Sequence, residues 1–271
     1  MSIDRPTIGL ALSGGAARGM AHVGAMRALI ENKIPIDFIA GTSAGSLVGG
    51  AFASGMSLDQ IEELGRDMRW RKVGRMTISR WGFQSNARLE KYLRDRLPIT
   101  RFEDLLVPFA AVATDLKTGS AVVLRDRGDV PFAIRASCTI PGLYVPVTDE
   151  QGRQLVDGGL VAVIPAAVAR SFGADIVIAV DVNAAGATFF GSSGSVIGVW
   201  LQSMMVIQRA VSDHHHSLCD FVIKPKVGHI RWDQMRRAEE LIGAGYEAGL
   251  EAVPEILELI EFSKNPHALS V

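Results

Sequence analysis

Residues 38–50, FIAGTSAGSLVGG, pass from an apolar run through two glycines four positions apart into small residues that suit a helix. Gly41, Thr42, Ser43, Ala44 and Gly45 spell G-x-S-x-G, a sharp strand-to-helix turn that exposes a serine hydroxyl above the edge of a sheet. The pattern constrains the fold because it needs a buried strand on one side and a covering helix on the other. The preceding residues supply the same alternation. TIGLALS (7–13) reads as a buried strand ending at Gly14 and Gly15. From Arg18 to Asn32 apolar residues recur at helical spacing through Met20, Val23, Met26 and Leu29, and IPIDFIA then starts a second strand. This is one βαβ unit, and it places the chain among α/β proteins with a mostly parallel sheet.

The rest of the chain continues the alternation. Ser57 and Gln60 form a capping-box pattern that opens a helix to about Met68. Residues 69–86 break the pattern, with Arg69, Arg71, Lys72, Arg75 and Arg80 interleaved with Trp70, Met76, Trp81 and Phe83. A helix is expected over 87–96, then a hairpin of 108–116 and 120–125, and a helix over 130–138. YVPV and RQLVD (153–157) read as short strands, IPAAVARSF as a helix, and ADIVIAVDV (174–182) as a buried parallel strand. A long helix falls within 194–216, followed by a strand FVIKP and a final amphipathic helix over about 232–262, with a break expected near Pro254.

With 271 residues, the chain fits one large domain, with a core over about 7–182 and a helical completion over about 183–262. The net charge of −1 offers no global field for nucleic acid or an acidic partner. Two cysteines, Cys138 and Cys219, make no disulfide framework, and MSIDRPTIG lacks the basic start and apolar run of a secretory signal, so a cytoplasmic setting is expected. The uncharged windows 38–58 and 182–208 are long enough to cross a bilayer, but their content of glycine, serine and other small residues reads as buried or loop segments.

A reactive serine needs a base, donors for a developing oxyanion and a scaffold that aims them at one place. Ser13, Gly14, Gly15, Ala16, Ala17, Arg18 and Gly19 form a glycine-rich turn into a helix, where unsatisfied amides can face an anion. A nucleotide site is the competing use. Ala16 stands where G-x-G-x-x-G wants its second glycine, the second strand ends in Ala40 and Gly41 rather than an acid, and no Walker lysine is present. For the base, Asp157 follows a strand and precedes Gly158 and Gly159. The histidines downstream of it (214–216, 229 and 267) occupy no clear strand-end loop, and the triple histidine is a poor single metal site because consecutive side chains diverge. His229 is the alternative base of a conventional triad, and His22 lies three residues after the turn.

SGGAARGMAHVG, GTSAGS and VDGG, in that order, resemble the three signatures of the patatin-like phospholipase family, in the bacterial branch similar to the catalytic domain of neuropathy target esterase. ASCTIPGLYVPV (136–147) is similar to that family as well. The resemblance implies a three-layer α/β/α sandwich with a mostly parallel central sheet, and a serine and aspartate dyad without histidine, metal or cofactor. It makes Ser43 the nucleophile, Asp157 the general base, and the amides around Gly14, Gly15 and Ala16 the oxyanion hole. Arg18, Gly19, Gly41, Gly45, Gly158 and Gly159 fall on motif positions. Ser13 stands where many members have glycine, and an extra alanine lengthens the turn, which leaves open which amide faces the oxyanion. The implied substrate is a phospholipid or lysophospholipid acyl ester. A soluble acyl ester or thioester, and a non-catalytic binding role, are the alternatives. Residues 69–86 would supply basic and aromatic contacts to a membrane surface, or a lid, and 186–198, with Phe189 and Phe190 between small residues, is a second candidate for a lid or a dimer contact. A homo-oligomer is compatible with the sequence.

Overall fold

A computed structural model of the chain describes residues 5–68, 74–77, 79, 81–184 and 196–264. The first strand, β1 (Ile8–Leu12), leads through a 3-10 turn at Ala16–Gly19 into helix α1 (Met20–Glu31) and then β2 (Phe38–Thr42) and α2 (Ala44–Ala53). Helix α3 (Leu58–Asp67) opens on a complete capping box, with Ser57 Oγ accepting from the Gln60 amide and Gln60 reaching back to the Ser57 amide. Strands β3 (Arg75–Met76) and β4 (Gly82–Ser85) precede α4 (Ala87–Arg94), the hairpin β5 (Phe109–Asp115) and β6 (Ala121–Arg125), and α5 (Val130–Ser137). Next come β7 (Gly142–Tyr144), β8 (Val147–Thr148), β9 (Gln154–Asp157), α6 (Ala166–Ser171), β10 (Ile176–Val180), α7 (Val196–His216), β11 (Phe221–Ile223) and α8 (Ala238–Lys264).

The main sheet runs in the order β11-β10-β1-β2-β5-β9-β8, with β6 also paired to β5. The five strands from β11 to β5 are parallel, and β6, β8 and β9 add antiparallel pairs. Side-chain alternation divides the core. Ile8, Leu10, Leu12, Ile39, Ile176 and Ile178 face α1, α2 and α8, whereas Ala11, Ala40, Val177 and Ala179 face α6. Each fully buried Leu or Ile contributes about 1.5–3 kcal/mol, so the first face carries most of the hydrophobic stabilisation. The alanines of the second face let α6 approach closely. Helices flank a mostly parallel sheet, in the α/β architecture anticipated above.

Three local expectations change. YVPV is not one strand: β7 joins β4 in a separate three-stranded sheet, β3-β4-β7, while β8 pairs with β9. Pro146, which has no N–H to give a ladder, separates them. Helix α8 continues through Pro254 rather than breaking there. The hydrogen bond that Pro254 cannot make is to the carbonyl of Leu250, whose residue is exposed, so water can serve that oxygen. Helix α8 also begins at Ala238, after a 3-10 turn at Met235–Arg237, rather than near Trp232. Residues 69–73, 78, 80 and 185–195, which carry much of both suggested lid segments, lie outside the described residues.

Candidate active site

The strand registers explain why Ser43 and Asp157 meet. Thr42, the last residue of β2, pairs with Val112 of β5, and the next residue of β5, Ala113, pairs with Asp157. Since β6 occupies the other edge of β5 over residues 110–114, β9 must lie on the same edge as β2, end to end with it. Ser43 leaves β2 where Asp157 ends β9. Their side chains are in contact, with Ser43 Oγ donating to Asp157 Oδ2 at 2.7 Å.

Ser43 has φ 51° and ψ −120°, a left-handed conformation that costs a non-glycine residue about 1–3 kcal/mol. Three contacts hold it there. The Ser43 amide donates to Ser137 Oγ at 2.8 Å, Ser137 Oγ donates to the Val112 carbonyl at 2.6 Å, and Ser46 Oγ donates to the Ser43 carbonyl at 2.6 Å. Both motif glycines are needed, because a Cβ on Gly41 would stand 2.5 Å from the Gly45 carbonyl oxygen and one on Gly45 would stand 2.2 Å from the Leu12 carbonyl oxygen. Gly19 and Gly158 serve similar close approaches, against Ala44 and against the Val112 carbonyl.

Asp157 is buried, and this pushes its carboxyl up to about 6, although hydrogen bonds from Ser43 and from the Gly159 amide to Oδ1 (2.8 Å) pull the other way. Its backbone is anchored by Thr139, whose carbonyl accepts from the Asp157 amide at 2.8 Å, and by Thr114 Oγ1, which donates to the Asp157 carbonyl at 2.9 Å. Nearby Cys138 does not compete as a nucleophile, because burial and the Asp157 charge push its thiol up to about 12.

The glycine turn forms the facing wall. Gly14, Gly15, Ala16, Ser43, Asp157 and Asn183 line one pocket. Ala16 has φ 49°, a second strained residue at the same place. The Gly14 amide donates to the Val163 carbonyl at 3.0 Å and the Ala17 amide to the Trp232 carbonyl at 2.9 Å. The amides of Gly15 and Ala16 have no hydrogen-bond acceptor among the described residues. Arg18 is almost fully buried and is not among the residues lining the pocket, with Nε donating to the Ile230 carbonyl at 2.7 Å and Nη1 to Asn183 Oδ1 at 3.3 Å. It braces the turn.

The histidines lie elsewhere. His229 is exposed and meets Glu240 at 2.8 Å, away from the pocket. His22 is buried behind the turn, with Nε2 donating to the Ser13 carbonyl at 2.9 Å, and burial pushes its ring down to about 4, so it is neutral. His216 contacts Asp181 at 2.9 Å, whereas His215 is buried beside Ile164. Among the described residues no cluster of three or more histidine, cysteine or acidic side chains is arranged to hold a metal ion.

Residue-level reading missed the outer wall of the pocket. Trp200, Met204, Met205 and Gln208 of α7 recur at helical spacing and close one side, with Ile140, Pro141 and Trp232 on the others. It also missed Ser137, which sits inside the ASCTIPG stretch, and Asn183, just past the end of β10. In open α/β sheets ligands gather at the carboxyl ends of strands, which was the available signal for Asn183.

Residues 10–170 match the family model for patatin-like phospholipase. The chain is 37% identical over 202 residues to a patatin-like phospholipase domain-containing protein of Caenorhabditis elegans, an overlap of 72% of this chain and 15% of that protein. It is 36% identical over 202 residues to lysophospholipase NTE1 of Mycosarcoma maydis, covering 72% of this chain and 10% of that one. The chain therefore spans only a small part of these relatives. Among solved structures, VipD from Legionella pneumophila shares the fold with a TM-score of 0.53 and 14% identity, over 94% of this chain and 67% of that one. The chain belongs to the patatin-like phospholipase family.

Proposed function

We propose that the protein is a serine hydrolase of lipid acyl esters, with Ser43 as nucleophile and Asp157 as general base. The 2.7 Å contact between Ser43 Oγ and Asp157 Oδ2, buried beside two unengaged amides, is the observation that carries this reading. A carboxylate is a weak base in water, and burial raises the proton affinity of this one toward what the reaction requires. As Ser43 Oγ bonds to the ester carbonyl carbon, its proton passes to Asp157 Oδ2. The carbonyl oxygen becomes an oxyanion received by the amides of Gly15 and Ala16. Collapse breaks the bond to the alcohol, which leaves with the proton from Asp157. Water then gives a proton to Asp157 and attacks the acyl-enzyme through a second oxyanion. The second collapse frees the acid and returns the proton from Asp157 to Ser43.

The substrate class rests on the walls and the family. Trp200, Met204, Met205, Ile140 and Pro141 offer an apolar surface to an acyl chain, and the name of the relative lysophospholipase NTE1 is in line with a lysophospholipid or phospholipid acyl ester. Contact with a lipid surface is part of the proposal. Trp81 and Phe83 are exposed, and Gly82 between them pairs with Gly142, against which the Trp200 ring would meet an added Cβ at 3.3 Å. These aromatics therefore stand near the pocket mouth. No helix of the described residues is long and apolar enough to cross a membrane, and the reading places the enzyme at the surface of one, in a reducing compartment where Cys138 and Cys219 stay free.

The test is labelling with a fluorophosphonate probe and turnover of p-nitrophenyl butyrate. Wild type should label and turn over, Ser43→Ala should do neither, and Asp157→Asn should lose turnover by at least about 10³-fold. Labelling that survives in Ser43→Ala would sink the assignment.

A further inference from the structure

The amide that receives an oxyanion is useful only if its direction is set before the charge forms. The structure sets that direction at the Gly14–Gly15 peptide through its carbonyl, and it also ties down the peptide that precedes it. The Gly14 amide is tied to the Val163 carbonyl at 3.0 Å, and the Gly14 carbonyl accepts from Asn183 Nδ2 at 2.6 Å. Peptide bonds here are trans, so the C=O of Gly14 and the N–H of Gly15 lie in one plane and point in opposite directions. Holding the first aims the second.

The amide orientation of Asn183 follows from chemistry. Arg18 carries only donors, so the Asn183 atom facing its Nη1 is the oxygen, and the nitrogen faces Gly14. Arg18 is itself fixed by the Ile230 carbonyl. The backbone of Asn183 is held too, because its amide donates to Asp181 Oδ1 at 2.9 Å. The fully buried Asp181 carboxylate also accepts from Ser212 Oγ and from His216 Nε2 of α7, at 2.8 and 2.9 Å. A continuous polar chain thus runs from α7 through Asp181 and Asn183 to the glycine turn.

We propose that Asn183 is the positioning residue of the oxyanion turn: by gripping the Gly14 carbonyl it aims the Gly15 amide at the pocket where Ser43 reacts. This rests on the serine-hydrolase reading above and adds to it a residue that no sequence motif marks. Asn183 acts through Gly15, so it contributes only when the carbonyl oxygen becomes charged. Its loss should lower kcat and leave KM nearly unchanged.

Asn183→Asp and Asn183→Ala test this with p-nitrophenyl butyrate, after titration of reactive sites with the fluorophosphonate and a thermal melt of each protein. Asn183→Asp keeps the size and an oxygen for Arg18 but has no donor for Gly14. Both variants should lose about 10- to 100-fold in kcat, somewhat less than outright removal of an oxyanion donor, with KM within about twofold. Affinity for a trifluoromethyl ketone, which forms a tetrahedral adduct, should fall by the same factor. The acid limb of the pH–rate profile should stay in place, because Asp157 is untouched. If Asn183→Asp keeps wild-type kcat, or if the loss appears in KM instead, the positioning role is overturned while the hydrolase reading stands. Loss in Asn183→Ala alone would also overturn it, by showing that bulk matters and the donor does not. A wild type that neither labels nor turns over overturns both, since there is then no oxyanion to serve.

Discussion

Asp157 must ionise to act as a base, and burial makes that ionisation costly. Its carboxyl lies at about 6 in the folded chain against an ordinary 3.8, so the folded state holds the proton more tightly than the unfolded one. Stability therefore falls as pH rises from about 4 to 6, and the cost is complete above that window. Asp157→Asn, which keeps the shape without the charge, should be more stable than wild type at pH 8 by up to roughly 3 kcal/mol, with the difference gone near pH 4. Denaturant melts at both values check this, and equal stability at pH 8 would refute it. For the wild type, kcat/KM should rise about tenfold per pH unit below an apparent pKa near 6 and level off above it. A flat profile between pH 5 and 8 would mean that another group takes the proton. Strain at Ser43 and Ala16 belongs to the same scale: both residues hold left-handed conformations that their neighbours enforce.

Among the elements, α1 and α8 form the tightest pair. A Cβ on Gly24 would stand 1.9 Å from the Ile242 carbonyl oxygen, and one on Gly245 would stand 2.0 Å from the Ala21 carbonyl oxygen. The two helices cross backbone to backbone, and neither backbone can yield as a flexible side chain would. Gly245→Leu should cost about 3 kcal/mol or more, beyond ordinary overpacking. Its denaturation midpoint is the measurement, and a midpoint equal to wild type would show that the helices do not cross there. Since α1 starts at the end of the glycine turn, forcing it off α8 should also lower activity before the chain unfolds. The end-to-end placement of β2 and β9 along β5 is the other decision made by whole elements, for it alone brings Ser43 to Asp157.

At the scale of the molecule, several large apolar side chains are exposed on the elements around the pocket. Trp81 and Phe83 lie beside β7, and on α7 Ile207 adjoins the stripe that lines the pocket wall, whereas Val199 and Val206 lie round the helix from it. Trp81 and Phe83 are the exposed aromatics on which the proposed contact with a lipid surface depends. Vesicle sedimentation of Trp81→Ala/Phe83→Ala should show binding reduced about tenfold or more, with hydrolysis of vesicle lipid reduced in step. Turnover of a dissolved short-chain ester by the same protein should change far less. Unchanged sedimentation would mean that these aromatics do not meet lipid. Arg71 and Lys72, where charge reversal is expected to weaken salt-sensitive vesicle binding, lie outside the described residues.

Much of this was legible in the sequence because it is local. Apolar runs and their periodicity located β1, α1, β2, α2, β5 and β10 closely, the Ser57 and Gln60 pair marked a helix start, and three short motifs pointed to Ser43, Asp157 and the glycine turn. Local pattern reads backbone preference and one-sided burial, which a few neighbouring residues settle. It cannot read pairing across long separations. That β7 leaves the main sheet, that Ser137 pins the Ser43 amide, that α7 walls the pocket around Ser43 and that Asn183 grips Gly14 are contacts between residues from 60 positions apart, for Gly82 and Gly142, to 169, for Gly14 and Asn183. Only the folded sheet brings them within hydrogen-bonding or packing distance, and that arrangement sets the direction of each group at the site.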